Sequence, residues 1–519
     1  MSDSYLDRLD LEQLRRQAKE LRDAARAGET VSLERVVGQV GARGPRQEVT
    51  LAVAQLVIAR ELGFASWPKL KAAVESRAGV MQRAAAFVAA SVEDRERRAR
   101  ILLEDDPRLA RADIRAAAVV GDVRLVGQLL AADRSAGNAV DRERGWPPLL
   151  YVCYSRWHRI DPGRAAGTVE VARLLLDAGA SPDTNNGARP HHGYRSGLHG
   201  SVTANNPGIT RLLLERSANP NDGESLYQAA GHRDHECLRL LLKHGATVAG
   251  SWAVDVAVGG NDAEGVRLLL DNAKRQTQER VSELASGLLA RACADGAAPV
   301  VEELLAGGAK PSRLDQDGIT PLRRAVRAGH QEVVAVLLSR GVIDDATDID
   351  RFLGASARGD RPRAELLLSD RPDLRDRLSA RDRTAIVEVA GGGAAADAVR
   401  LMIELGFSPN ARNDFGETPL HAAAGAGDAE TVRLLLEHGA ELDARDANFD
   451  GTPLGYATVT SGKHPNTNGD WVATVQLLLH AGADRTGVWV AGRPPSEDVA
   501  DVLRSYGITS DETRAASSE

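Results

Sequence analysis

Aliphatic residues recur along most of the chain in one short arrangement: two or three in a row, two further residues, then Gly-Ala or a variant of it. Clear copies are RLLLDAGA from Arg173, RLLLKHGA from Arg239 and RLLLEHGA from Arg433. Twelve such strings occur between Leu102 and Leu478, and their spacing averages about 34 residues. A period of this length predicts two-helix units that stack, because neither short helix can bury its apolar stripe alone.

The last clear unit shows why each copy folds. Thr418 is a good N-cap and Pro419 suits the first position of a helix. Gly427 can end that helix with a positive φ. Residues 430–437 then carry aliphatic side chains at helical spacing, so a second helix is predicted before the chain turns polar.

Two segments resemble the ankyrin repeat: GETPLHAAAGAGDAETVRLLLEHGA (Gly416 to Ala440) and GITPLRRAVRAGHQEVVAVLLSRG (Gly318 to Gly341). The second has Arg323 where the family has histidine. The resemblance covers roughly Leu102 to Asp484. It implies an all-α solenoid of helix–turn–helix units with short β-hairpin fingers and a concave face for protein recognition. Several units are degenerate, and two successive gaps of 28 residues leave little room for a finger.

Residues 1–78 lie outside the repeat, and their apolar spacing predicts amphipathic helices. The segment AQLVIARELGFASWPKLKAAVE (Ala54 to Glu75) resembles one at the N-terminus of some bacterial ankyrin-repeat proteins. It also has helix-turn-helix spacing around Ser66, but its second helix offers few groups for reading base edges. Its basic residues are Lys69, Lys71 and Arg77. We therefore predict a helical module that caps the first repeat, because the ends of solenoids must be covered.

The predicted organisation is a capping module over residues 1–78, about eleven repeat units over 79–509, and a disordered tail over 510–519. Three insertions interrupt the repeats, near residues 150–168, 185–197 and 458–472. Four of the nineteen aromatic residues fall within twelve residues at the first insertion. They are Trp146, Tyr151, Tyr154 and Trp157.

Rings and polar side chains on protruding loops suit recognition, so the insertions hold the candidate partner-binding residues. These are Tyr154, Trp157, His158, Asp161, His191, His192, Tyr194, His464, Asn466, Asp470 and Trp471. The alternative is that the rings of the first insertion continue a repeat helix and pack in the core.

Composition narrows the class of protein. The net charge is −8, and charged residues make up 27% of the chain. No stretch of 18 apolar residues exists, and the first residues lack the pattern of a secretory signal. The three cysteines form no pair motif, which fits a reducing compartment. We expect a cytoplasmic protein without a membrane segment, and nucleic-acid binding is not indicated.

No catalytic or phosphate-binding motif is present, and the Asp414-Phe-Gly416 tripeptide lies in a repeat loop without the other kinase motifs. We expect no metal site and no cofactor. The predicted function is non-catalytic binding of a protein or peptide on a concave face. One alternative is a small-molecule pocket, with acid–base chemistry, around Tyr154–Asp161 and His191–Tyr194. The other is a DNA-binding N-terminal head.

Overall fold

A computed structural model describes residues 11–40, 49–93, 95–141, 143–188, 193–276, 278–393, 395–463, 469–486, 488 and 495–508. The chain divides into two compact units, residues 1–229 (unit 1) and 230–519 (unit 2). Within the described ranges the regular structure is helical, and the β contact recorded there is an isolated bridge between Asn185 and Ser196. No helix in those ranges has the length and apolar character needed to cross a membrane.

Unit 1 begins with four helices that share a core and continues with helix pairs. Its helices are α1 (Leu11–Ala27), α2 (Thr30–Val40), α3 (Leu51–Glu61), α4 (Trp67–Val92), α5 (Glu96–Asp105), α6 (Ile114–Val119), α7 (Val123–Ala132), α8 (Pro148–Tyr154), α9 (Trp157–Ile160), α10 (Ala165–Asp177), α11 (Gly197–Thr203), α12 (Pro207–Glu215) and α13 (Ser225–Ala229). Short 3₁₀ turns lie at Pro107–Arg111, Arg134–Asn138 and Pro162–Arg164.

Helix α4 joins the N-terminal core to the first helix pairs. Leu70 and Val74 in its first half belong to the core formed with α1, α2 and α3. Phe87 and Val88 in its second half belong to the core of the pairs that follow, and α4 contacts α6 and α8. The boundary predicted after residue 78 is therefore wrong, because apolar residues continue at helical spacing to Val92 and keep the helix intact.

Among the described residues, unit 2 consists of one helix at its start, seven helix pairs and one final helix. Its helices are α14 (Glu236–Lys243), α15 (Ala253–Gly259), α16 (Ala263–Gln276), α17 (Gln278–Ala294), α18 (Ala298–Ala306), α19 (Pro321–Ala328), α20 (Gln331–Ser339), α21 (Asp348–Ala357), α22 (Arg361–Asp370), α23 (Ala385–Gly391), α24 (Ala396–Glu404), α25 (Pro419–Ala426), α26 (Ala429–Glu437), α27 (Pro453–Lys463), α28 (Trp471–His480) and α29 (Glu497–Ser505). Short 3₁₀ turns lie at Pro372–Leu374 and Asp382–Thr384.

The pairs of unit 2 stack through like helices. First helices contact first helices, as in α17–α19–α21 and α23–α25–α27. Second helices do the same, as in α16–α18–α20 and α24–α26–α28. One apolar core runs from Phe352 in α21 to Ile508 after α29. The helix pairs in this stretch thus bury their apolar stripes against one another.

The predicted all-α helix–turn–helix fold is confirmed. At the residue level, Thr418 accepts a hydrogen bond from the His421 N–H, Pro419 is the first helical residue, and Gly427 ends α25 at φ 69°. The shortest junction lies outside the two 28-residue gaps: a loop of residues 244–252 is present in the second of those gaps, whereas α16 ends at Gln276 and α17 begins at Gln278 in the next one.

The fingers differ from the expected β-hairpins. We use the word finger for the loop that joins the second helix of one pair to the first helix of the next. The fingers of unit 2 that are described in full are residues 244–252, 307–320, 340–347, 371–384, 405–418 and 438–452. They are closed by single backbone bonds, such as Asn413 N–H to Glu417 O at 3.1 Å, and not by a ladder of strand pairs.

Candidate functional site

The rings of the first insertion lie in the core of unit 1. Tyr154 and Trp157 are only 2% and 3% exposed. The Trp157 ring lies 5.8 Å from the Phe87 ring, centre to centre, and its indole N–H donates to Ser91 Oγ at 2.9 Å. The prediction that these two rings contact a partner is therefore wrong, because the inserted residues fold into α9 and pack beneath α4.

Two polar residues of the insertions that were predicted to contact a partner cap helical turns. Asp161 accepts from the Gly163 N–H and pairs with Arg164 at 3.0 Å. Asp470 accepts from the Ala473 N–H at the start of α28. The neighbouring Trp471 is buried, and its indole N–H donates to the Gly425 carbonyl at 3.2 Å. Trp471 is thus also a core residue and not an exposed anchor.

The remaining predicted residues give little support for a pocket. Both ring nitrogens of His158 are buried without a hydrogen bond of normal geometry, and burial, with Arg159 adding to it, lowers the pKa of this ring. Tyr194 is partly buried. The four others, His191, His192, His464 and Asn466, lie outside the described residues.

A different set of side chains is displayed on the fingers of unit 2. Among the described residues of this unit, seven large apolar side chains are exposed, and five of them lie in fingers. These five are Trp252, Leu314, Ile343, Phe415 and Phe449. The other two, Leu338 and Leu366, lie on second helices. Exposed apolar side chains that recur on several loops of one repeat array are typical of a protein interaction surface.

Polar side chains at the start of the fingers hold the chain so that the apolar residue points outward. Asn413 Oδ1 accepts from the Phe415 and Glu417 N–H groups, both at 3.0 Å. Asp446 Oδ1 accepts from the Phe449 N–H at 2.8 Å. An Asn or Asp side chain that bonds its own backbone a few residues later sets a tight turn. The two aromatic residues therefore protrude from ordered loops.

Adjacent fingers are also bonded to each other. The Ala447 N–H donates to the Phe415 carbonyl at 2.8 Å. Arg412 donates to the Arg445 carbonyl at 2.9 Å and pairs with Glu441 at 3.0 Å. A surface whose loops are already ordered loses little conformational entropy on binding.

Trp252 is the most unusual of the exposed residues. It is 72% exposed, and its backbone adopts the left-handed conformation at φ 56° directly before α15. A bulky residue with positive φ is strained, and strain of this kind concentrates at functional positions.

Our interpretation of the sequence missed this surface, although a signal was present. Phe415 and Phe449 both lie four residues before the proline that starts a first helix, inside otherwise polar loops. A large apolar residue that recurs at one loop position has no core to fill, and this was the available clue.

Comparison with known proteins agrees with this fold. A family model for ankyrin repeats matches three times, over residues 252–350, 352–446 and 386–487. The ankyrin repeat and KH domain-containing protein mask-1 of Caenorhabditis elegans is 30% identical over 227 residues, which are 40% of this chain and 8% of that protein. Diacylglycerol kinase zeta of Rattus norvegicus is 33% identical over 120 residues, 22% of this chain and 12% of that protein.

Residues 252–487, all within unit 2, thus carry ankyrin repeats. It spans a small fraction of the length of the relatives that it matches. The predicted bacterial character is not confirmed, because these relatives come from a nematode and a rat.

Proposed function

We propose that this chain is a non-catalytic scaffold that binds a protein partner through the fingers of unit 2. The observation that carries the proposal is the recurrence of exposed apolar side chains on five of the six fingers whose residues are all described. Binding on the concave face, which the family resemblance implies, remains part of this proposal. So does a cytoplasmic location.

The small-molecule alternative has less support. A cavity of about 210 Å³ in unit 1 is lined by Ala85, Val88, Arg115 and Tyr151, among others. Tyr154, His158 and Asp161 do not line it. Among the described residues no three His, Cys, Asp or Glu side chains converge as they would around a metal ion.

The DNA-binding alternative is also disfavoured by packing. A recognition helix has to present one open face to the major groove. Helix α4, which starts after Ser66, instead contributes to two apolar cores, through Leu70 at one end and Phe87 at the other. We propose that the N-terminal module covers the end of the first helix pairs.

Site-specific photo-crosslinking tests the scaffold proposal. The photoreactive residue p-benzoylphenylalanine replaces Ile343 or Phe415 on the fingers, or Leu366 on α22 as the matched exposed control. After illumination in lysate of the native organism, we expect a discrete crosslinked protein at the finger positions, at least fivefold more abundant than at residue 366. Equal products at all three positions, or none at the fingers, would contradict the proposal.

A further inference from the structure

Phe415 and Phe449 form a matched pair on adjacent repeats. They are 54% and 71% exposed, and both lie four residues before a helix-starting proline. Their fingers are joined by the backbone bond from the Ala447 N–H to the Phe415 carbonyl. Both side chains are thus largely exposed, on neighbouring loops that are bonded together.

The stretch of sequence that holds these rings is acidic. Residues 411–451 contain nine acidic residues, three arginines and no lysine, a net charge of −6 against −8 for all 519 residues. Asp414 precedes one ring and Asp450 follows the other, and their side chains are 72% and 77% exposed. Each exposed ring therefore has an exposed carboxylate on the adjacent residue of the chain.

The arginines of this surface are already engaged. Arg412 pairs with Glu441, and Arg445 is shared between Asp450 at 2.9 Å and Asp484 at 3.5 Å. Arg381 is shared between Asp317 and Asp414. Because each shared guanidinium faces two carboxylates, negative charge remains for a partner to neutralise.

We propose that the Phe415–Phe449 pair binds an arginine-containing segment of the protein partner. A guanidinium is planar and weakly hydrated, so it can stack on a phenylalanine ring while its edge donates two hydrogen bonds to a neighbouring carboxylate. A lysine ammonium cannot make both contacts in the same way. This inference rests on the proposed scaffold function and adds the chemistry of the partner.

Peptide binding to the full chain tests it. The probes are fluorescein-labelled twelve-residue peptides in which serine alternates with arginine, with lysine or with glutamate. We expect the arginine peptide to bind, the lysine peptide to bind several-fold more weakly, and the glutamate peptide not to bind. Phe415→Ser with Phe449→Ser should raise the Kd of the arginine peptide by about fivefold or more, given two exposed cation–π contacts. Equal affinity for the arginine and glutamate peptides would overturn the inference.

Two further variants make the result specific. Asp414→Asn with Asp450→Asn should weaken the arginine peptide at low salt and flatten its salt dependence, because two carboxylates are lost. Leu338→Ser with Leu366→Ser removes two exposed apolar side chains elsewhere in the unit and should leave Kd unchanged. If the control variant weakens binding as much as the phenylalanine variant, the assignment to this pair is wrong.

The outcomes also separate the two proposals. If the arginine peptide does not bind but Phe415 still gives a specific photo-crosslink, the scaffold proposal stands and the arginine inference fails. If an excess of arginine peptide, but not of glutamate peptide, abolishes the Phe415 crosslink, both are supported.

Discussion

One position of the repeat shows how different side chains perform the same task. It is the third residue of the first helix, where the family has histidine. His421 donates through Nε2 to a backbone carbonyl of the following finger at 3.0 Å. Arg323 at the equivalent place donates to Asp350 at 2.8 Å, and His199 bonds the Tyr154 hydroxyl at 3.0 Å. Each side chain joins its own helix pair to a neighbouring helix pair, so these residues are structural.

The buried rings of unit 1 give a prediction at this scale. Tyr154→Ala or Trp157→Ala should each lower the free energy of unfolding by about 3–5 kcal/mol, because a large cavity is left in a closely packed core. Urea unfolding followed by circular dichroism measures this change. Tyr227→Ala, at a ring that is far more exposed in the same unit, is the control and should change stability by less than about 0.5 kcal/mol. Unchanged urea midpoints for the core variants would mean that these rings are not packed as described.

At the scale of elements, a chain of ion pairs links three successive parts of unit 2. Asp350, in the first turn of α21, is fully buried between Arg323 and Arg327 of α19. Arg327 also pairs with Asp382 in the next finger. Burial would raise the pKa of Asp350, but hydrogen bonds from Arg323, Thr347 and Arg327 outweigh it, and the pKa is lowered.

Breaking this chain should destabilise the stack. Asp350→Asn keeps the shape but leaves two arginines without their buried carboxylate, so we expect a loss of about 3 kcal/mol in unfolding free energy. Asp348→Asn on the same helix removes a half-exposed ion pair with Arg371 and should cost less than about 1 kcal/mol. Thermal unfolding of both variants compares them, and similar melting temperatures would contradict the role given to Asp350.

Some helices have a sequence signal for where they begin and end, and others do not. Helices α19 and α25 begin at a Thr-Pro signal, and both end at a glycine in the left-handed conformation, so their bounds were readable. The predicted module boundary implied that helix α4 would end by residue 78. It spans 26 residues because its second half packs against the helix pairs of unit 1. Its N-cap residue, Ser66, makes no side-chain capping bond.

At the scale of the whole molecule, the two units differ in what they display. Unit 1 buries Tyr154 and Trp157, which were expected to bind a partner. Unit 2 carries the ankyrin match and the fingers with exposed apolar side chains. Both units contain buried histidines, which couple folding to pH.

The pH dependence of stability follows from three buried histidine side chains. Burial lowers the pKa of His158, His199 and His421 below the ordinary value of 6.5. Unfolded chains then take up protons near pH 6.5 that folded chains do not, so stability is complete above that pH and falls as the pH drops below it. Each histidine contributes a slope of up to about 1.4 kcal/mol per pH unit.

Urea midpoints at pH 7.5, 6.5 and 5.5 test this expectation and should decrease in that order. His158→Gln should reduce the slope of unit 1 only. The carboxylates with lowered pKa, such as Asp350, add no slope in this range, because their ordinary value is 3.8. Midpoints that do not change from pH 7.5 to 5.5 would show that the rings are not buried as neutral groups.

The sequence by itself determined the repeat, the helix caps and the all-α fold, because these depend on residues a few positions apart. Thr418, Pro419 and Gly427 act within one helix, and the period follows from counting. Only the tertiary structure decided which aromatic residues are core and which are surface. Trp157 is buried by Phe87 and Ser91, roughly seventy positions earlier, whereas Phe449 is 71% exposed. Burial depends on neighbours distant in the chain, and local pattern does not contain them.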